Sequence, residues 1–256
     1  PIANYLQRNN ILTPSQHGFR PGYSCETQLI SAVDDWSKAI NNGDKVDIAI
    51  LDFSKAFDSV PHERLKSKLH LYGIRDKTLC WISSFLGNRR QRVILNGQTS
   101  DWSTVLSGVP QGTVLGPLFF LLYINDICDD IKSSIRLFAD DCVLSRTIKS
   151  TTDSVALQSD LNCLVSWSDK WQMNINIKKC FMMHMTRQRK HKTTHTYNMK
   201  GSPLSTVMSH PYPGVEIQSD LRWNDHIDKI SNKTSKTLSM LRRNLSGCTR
   251  DIKLHA

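Results

Sequence analysis

The sequence has no Cys-x-x-Cys pair: its seven cysteines, Cys25, Cys80, Cys128, Cys142, Cys163, Cys180 and Cys248, are odd in number and scattered. This argues against a disulfide framework or a zinc site, and predicts reduced thiols inside a cell, with both nucleus and cytoplasm open. Long hydrophobic runs are missing too. The longest, from Val114 to Ile124, is broken by Gly116 and Pro117 and is too short to span a bilayer, so no membrane partner is expected. No signal peptide is visible at the start, and no internal repeat is found. Acid is the minority charge. The 23 Asp and Glu against 33 Lys and Arg leave a formal charge of +10, which suits an anionic partner such as nucleic acid. The 256 residues are enough to bury a sizeable core. Residue 1 is Pro rather than Met and residues 251–256 carry no helix-stop signal, so a piece of a longer chain is expected.

Residues 11–24 read as a loop, after which Leu29, Val33, Trp36 and Ile40 recur at helical spacing until Asn41-Asn42-Gly43. The nearly continuous apolar run from Asp47 to Phe53 predicts a buried central strand ending in an acid, Asp52. Pro61 is placed to open a helix through Leu65 and Leu69, and Gly73 separates it from a second through Leu79, Ile82 and Phe85. Asn96-Gly97 predicts a hairpin between strands at 91–95 and 101–106. A Gly-rich loop at 107–116 then leads into a helix near Pro117. Two long amphipathic helices follow, one through Leu157, Leu161, Leu164 and Trp171, the other through Trp223, Ile227, Ile230, Leu238, Leu241 and Leu245. Lys229, Lys233, Lys236 and Arg243 lie on another face of the second helix, where a basic stripe could follow phosphates or simply face solvent. The basic residues of 186–203 (Arg187, Arg189, Lys190, Lys192, Lys200) read as a solvated loop. Alternating strands and helices predict an α+β layer: a mainly antiparallel sheet with helices on one face.

Phe138-Ala139-Asp140-Asp141 sits between two short apolar segments, Ile135–Leu137 and Cys142–Leu144, in the pattern of a tight hairpin with two acids at its turn. Asp is common in turns for its local hydrogen bonds alone. If this hairpin neighbours the Asp47–Phe53 strand, however, Asp52, Asp140 and Asp141 converge. Three convergent carboxylates call for hard cations, magnesium or manganese, and two such ions ~3.5–4 Å apart serve in-line phosphoryl transfer.

Ala49-Ile50-Leu51-Asp52-Phe53-Ser54-Lys55-Ala56-Phe57-Asp58, then Ser107-Gly108-Val109-Pro110-Gln111-Gly112, then Phe138-Ala139-Asp140-Asp141, stand in the order and spacing found in reverse transcriptases of non-LTR retrotransposons. Gln16-His17-Gly18-Phe19-Arg20-Pro21-Gly22 adds a fourth matching segment. The resemblance continues through Trp171–Asn176 with Lys179, and on to Gly214–Ile217 and Asp220–Trp223. It implies a right-hand polymerase fold: partial fingers at 1–45, a palm with finger insertions at 46–222 and the start of a helical thumb at 223–256. It further implies an RNA-directed DNA polymerase that transfers nucleotides from dNTPs to a primer 3′-hydroxyl on an RNA template, with two magnesium or manganese ions. Asp52, Asp140 and Asp141 would be the catalytic, metal-binding acids. Phe57 would stack under the sugar and exclude a 2′-hydroxyl, Gln111 would contact the incoming nucleotide, and Lys179 would protonate the pyrophosphate. Arg20, Lys229, Lys233 and Lys236 would meet nucleic acid. Asp58 is expected to cap the helix that Pro61 begins. The family's upstream endonuclease, its earlier fingers segment and its C-terminal region are missing from this sequence. Pro213 stands where the family usually has Leu, which would remove a donor from a strand start. Two alternatives stay open: a nucleic-acid-binding remnant without turnover, and a two-metal nuclease, which would need no nucleotide pocket.

Overall fold

The computed structural model describes residues 2–187 and 195–249. Arg189, Lys190 and Lys192 of the basic loop, and the chain end at 251–256, lie outside the described residues. The chain begins with α1 (Ile2–Arg8) and α2 (Cys25–Asn41), then β1 (Lys45–Leu51), the one-turn α3 (Ala56–Ser59), α4 (His62–Leu71) and α5 (Asp76–Leu86). Four two-residue strands follow, β2 (Arg90–Gln91), β3 (Ile94–Leu95), β4 (Gln98–Thr99) and β5 (Ser103–Thr104), and then α6 (Leu115–Ile124). The acidic hairpin is β6 (Ser134–Phe138) and β7 (Asp141–Ile148). After it come α7 (Thr151–Trp171), β8 (Phe181–Met185), β9 (Asn198–Met199), β10 (Ser202–Pro203), β11 (Ser205–Thr206), β12 (Ser209–Tyr212), β13 (Val215–Gln218) and α8 (Asn224–Asn244).

Five of these strands form one sheet in the order β11-β8-β1-β7-β6, antiparallel except for β11 on β8. β1 is therefore the middle strand, and its apolar run has a physical cause, since both of its faces are covered. Ala49 and Leu51 pack with Leu65 and Leu69 of α4, Phe120 of α6 and Leu161 of α7. Val46 and Ile48 pack on the other side with Ala32, Trp36 and Ile40 of α2 and with Tyr212 and Ile217 of the β12–β13 hairpin. Most helices thus lie on one face, and the opposite face is closed by α2 and that hairpin. The helix starts are chemically set. At the head of α2 the Ser24 N–H donates to the Thr27 hydroxyl at 2.9 Å and the Thr27 N–H to the Ser24 hydroxyl at 3.2 Å. At the head of α7, the Ser150 N–H donates to the Asp153 carboxylate at 3.0 Å.

Lys68 of α4 is fully buried beneath this layer. Its ammonium donates to the Tyr123 carbonyl and pairs with Asp126, while its Nζ stands 3.8 Å from the centre of the Trp171 ring. Burial outweighs the Asp126 carboxylate and holds its pKa down at about 8.

Two local expectations are corrected. The Asn96-Gly97 turn forms, with φ of 49° and 79°, but its strands are broken pairs, β3 with β4 and β2 with β5, and not continuous runs over 91–95 and 101–106. Every residue from 90 to 104 is exposed, so neither face of the hairpin is pinned by a core. Pro213 does not open a strand. It and Gly214 (φ 82°) form the two-residue turn between Tyr212 and Val215, where proline's missing N–H is not needed by the ladder.

Candidate active site

Asp52 is the residue after β1. Leu51 pairs with Cys142, so Asp52 comes out beside Asp141 at the same end of two neighbouring strands. The backbone of Asp52 is pinned from the other side. Its carbonyl accepts from the Asn176 N–H at 2.8 Å and its N–H donates to Cys180 Sγ at 3.5 Å. Residues 174–180 therefore run along Asp52, which brings Lys179, exposed in a short 3-10 turn (Ile177–Lys179), to the same end of the sheet.

The last pair of the acidic hairpin is Phe138 with Asp141, so Ala139 and Asp140 form the turn itself. Burial foremost, then the charge of Asp52, raises the Asp140 carboxyl, opposed by a backbone N–H. Asp141 is pushed up to about 6, first by desolvation and then by Asp140 and Asp52. Solvent reaches Asp141, yet protein on either side thins its hydration. Among the described residues no Lys, Arg or His forms an ion pair with any of the three acids. Their side chains share a neighbourhood without being gathered into a ready-made ligand cluster, and no such cluster occurs among the described residues. The donor chemistry nevertheless fits a hard divalent cation: carboxylate oxygens, mutually repelling, and paired with no cation among the described residues. Asp52, Asp140 and Asp141 are the residues that would hold it.

The Gly-rich loop is fastened to the turn that follows Asp52. Val109 N–H donates to the Phe57 carbonyl and Gly108 N–H to that of Val60, both at 2.8 Å. A Cβ on Gly108 would stand 2.7 Å from the Asp58 carbonyl oxygen, and its φ is 89°, so only glycine lets the two backbones meet. This contact overturns the capping expectation for Asp58. Pro61 precedes α4 with no side-chain cap, and Asp58 Oδ1 instead accepts from Gln111 Nε2 at 2.9 Å. Gln111 is exposed and held in place by that bond. Phe57 is partly buried, stacked on Phe120 with ring centres 4.3 Å apart and met edge-on by Phe19 at 6.2 Å. One side of its ring is core and the remainder is solvent-accessible.

The residues expected to meet nucleic acid divide into two groups. Arg20 is turned inward, donating to the carbonyls of Thr13 and Gln16 and lying 4.5 Å over the Tyr23 ring. Lys229 is paired with Glu216 at 2.7 Å. Lys233 and Lys236 are exposed on α8, a helix with no buried side chain. Sequence reasoning missed Gln16 as an individual residue. Its buried amide bonds to both backbone groups of Ala139, at 2.9 and 3.1 Å. A contact 123 positions apart leaves no trace in periodicity.

A family model described as reverse transcriptase (RNA-dependent DNA polymerase) matches residues 2–233. Among curated proteins, the chain is 25% identical over 260 residues to the probable RNA-directed DNA polymerase from transposon BS of Drosophila melanogaster, covering 94% of this chain and 28% of that protein. It is 28% identical over 244 residues to the probable RNA-directed DNA polymerase from transposon X-element of the same species, covering 91% and 26%. The chain thus spans roughly a quarter of the length of these relatives. Among solved structures, telomerase from Candida tropicalis in complex with a TWJ fragment of telomeric RNA matches with a TM-score of 0.58 at 12% identity, covering 87% of this chain and 36% of that one. The apo telomerase of the same organism, truncated from its C-terminal domain, matches at 0.55 and 12%, covering 86% and 42%. At such identity these structures establish the fold alone, that of a polymerase palm. With nine-tenths of its length matched by the family model, the chain belongs to the reverse transcriptase (RNA-dependent DNA polymerase) family.

Proposed function

We propose that this chain is the palm, with partial fingers (1–45) and the start of a thumb (223–256), of an RNA-directed DNA polymerase from a non-LTR retrotransposon. The observation that carries this reading is the placement of Asp52 beside the Asp140-Asp141 turn at one end of adjacent central strands. Its substrates are dNTPs, and its partners are an RNA template and a DNA primer. A pair of magnesium or manganese ions, when bound, supplies activation of the primer 3′-hydroxyl and neutralisation of the triphosphate charge.

The chain's own residues position what reacts. Asp52, beside a strand end fixed by Asn176 and Cys180, Asp140, on the two-residue turn, and Asp141, at the head of β7, present their carboxylates from rigid elements. Phe57, backed by Phe120, forms a flat floor for a deoxyribose, and a 2′-hydroxyl would press against it. Gln111, braced by Asp58, lies on the loop that flanks this floor and contacts the incoming nucleotide. Lys179, in the turn that follows Asn176, gives a proton to the departing pyrophosphate.

The test is primer extension on an RNA template with dNTPs and magnesium or manganese, comparing this chain with its Asp140→Asn, Asp141→Asn double variant. Extension by the parent and its loss in the variant are expected. Template binding without extension in either would favour the remnant reading.

A further inference from the structure

The turn that carries Asp140 is held by a side chain from the other end of the chain. Gln16 is only 2% exposed. Its Oε1 accepts from the Ala139 N–H at 2.9 Å and from the Gly18 N–H at 2.7 Å, while its Nε2 donates to the Ala139 carbonyl at 3.1 Å. One amide therefore satisfies both backbone groups of one turn residue. That residue needs support: Ala139 has φ 54°, in the left-handed region that glycine, asparagine and aspartate enter far more readily than alanine. The backbone beside Gln16 joins the same structure, since the Leu137 N–H donates to the Ser15 carbonyl and the His17 N–H to the Leu137 carbonyl, both at 2.9 Å. Gly18 completes the fit, because a Cβ there would stand 2.3 Å from the Ala139 nitrogen.

A purely packing role for Gln16 does not account for this pattern. An apolar side chain would fill the same space, whereas here every bond of the amide goes to Gly18 or Ala139. Glutamate in its place would keep the two accepted bonds, lose the donated one and add a charge beside three acids. Asparagine would be a methylene too short.

We propose that Gln16 is a positioning residue: its amide fixes the Ala139 peptide so that Asp140 and Asp141 are aimed toward Asp52, and Gly18 is small so that this brace can close. The proposal rests on the polymerase reading for its kinetic consequence and not for its metal-binding consequence. Phe19, the next residue, touches Phe57, so the same short segment borders both the acidic turn and the proposed nucleotide floor.

The experiment uses Gln16→Met, which keeps the volume, and Gly18→Ala, which leaves Gln16 intact and pushes on Ala139 from outside. Manganese affinity by calorimetry, kcat and KM for single-nucleotide addition, template–primer affinity and thermal unfolding are measured on each. The expected result is a kcat lower by ~10- to 100-fold in both variants, as for a misplaced reacting geometry. Manganese binding should weaken several-fold, with KM for dNTP and template–primer affinity within about two-fold of the parent. Parental kcat and manganese affinity in Gln16→Met would overturn the proposal, as would losses in every readout that track the unfolded fraction. Should one variant fail to fold, the other decides. Should the parent add no nucleotide, manganese affinity decides alone: weakened in the variants it supports the brace, and unchanged it overturns it. A parent that binds manganese and primer–template without extending counts against the polymerase reading and leaves the brace to be judged by the metal.

Discussion

Asp141 titrates at about 6 in the folded chain, against an ordinary carboxyl value of 3.8. Folding therefore raises its pKa, and in that interval the native state binds more protons than the unfolded chain. The sign follows: this group lowers stability as pH rises from about 4 to 6. For a group that solvent reaches, the contribution is ~1 kcal/mol once screening is discounted. Asp141→Asn should flatten that part of the stability–pH curve and make the metal-free protein slightly more stable at pH 7, as read by urea unfolding at a series of pH values. The same variant should lose most of the stabilisation that manganese gives the parent. Phe57 belongs to the same scale. Phe57→Val opens the floor beneath the sugar, and discrimination against ribonucleotides should fall by ~10-fold or more, measured as the ratio of kcat/KM for dNTP and NTP. Loss of the Phe120 stack should cost that variant ~1–2 kcal/mol of stability.

Among elements, α4 shows what its sequence holds and hides. Leu65, Lys68 and Leu69 share one face at helical spacing, and the face is buried, the lysine included. Lys68→Met removes the cation from beside Asp126 and the aromatic rings. It should destabilise the fold by ~2–4 kcal/mol, with a matching shift in the urea midpoint, because Asp126 loses its cation and keeps only the Trp167 indole N–H. The elements with strong local signals were legible. The apolar run of β1 marked a strand covered on both faces, and the Asn96-Gly97 pair marked its turn. The 3.6-residue spacing marked α7 and α8. What could not be read was set by partners far away in the chain. Asp58 offered a plausible cap and instead holds Gln111, because the Gly-rich loop comes within backbone contact of it. Pro213 looked like a broken strand and is half of a turn, because the register places Tyr212 opposite Val215. The three acids were legible as a set through the order of their motifs, and the strand register that puts them at one end was not.

At the scale of the whole molecule, the formal charge of +10 is unevenly used. Arg20 and Lys229 are occupied internally, whereas Lys233 and Lys236 are exposed along α8. Template–primer affinity should fall steeply with salt, and Lys233→Ala with Lys236→Ala should reduce the slope of log K against log salt by ~2. An unchanged slope in fluorescence-anisotropy titrations would place the phosphate contacts elsewhere. The apolar stripe of α8, with Trp223, Ile227, Ile230 and Leu238 exposed, gives that helix little of its own to hold it against the palm. It should exchange its amide hydrogens well before β1 and β7 do.

The bond from Gln16 to Ala139 spans 123 positions, and it orders events in time as well as atoms in space. During synthesis the bracing segment leaves the ribosome first and waits ~6–25 s, at ordinary elongation rates, for the turn it will hold. Until then its amide has only the nearby Gly18 N–H and water to bond to. A contact of such long range also pays its loop-closure entropy late, after the local helices and hairpins have formed. The acidic turn therefore takes its braced shape only after the β6–β7 hairpin has met the Ser15–Gly18 segment, and a nascent chain gathers its three carboxylates only once β7 has paired with β1.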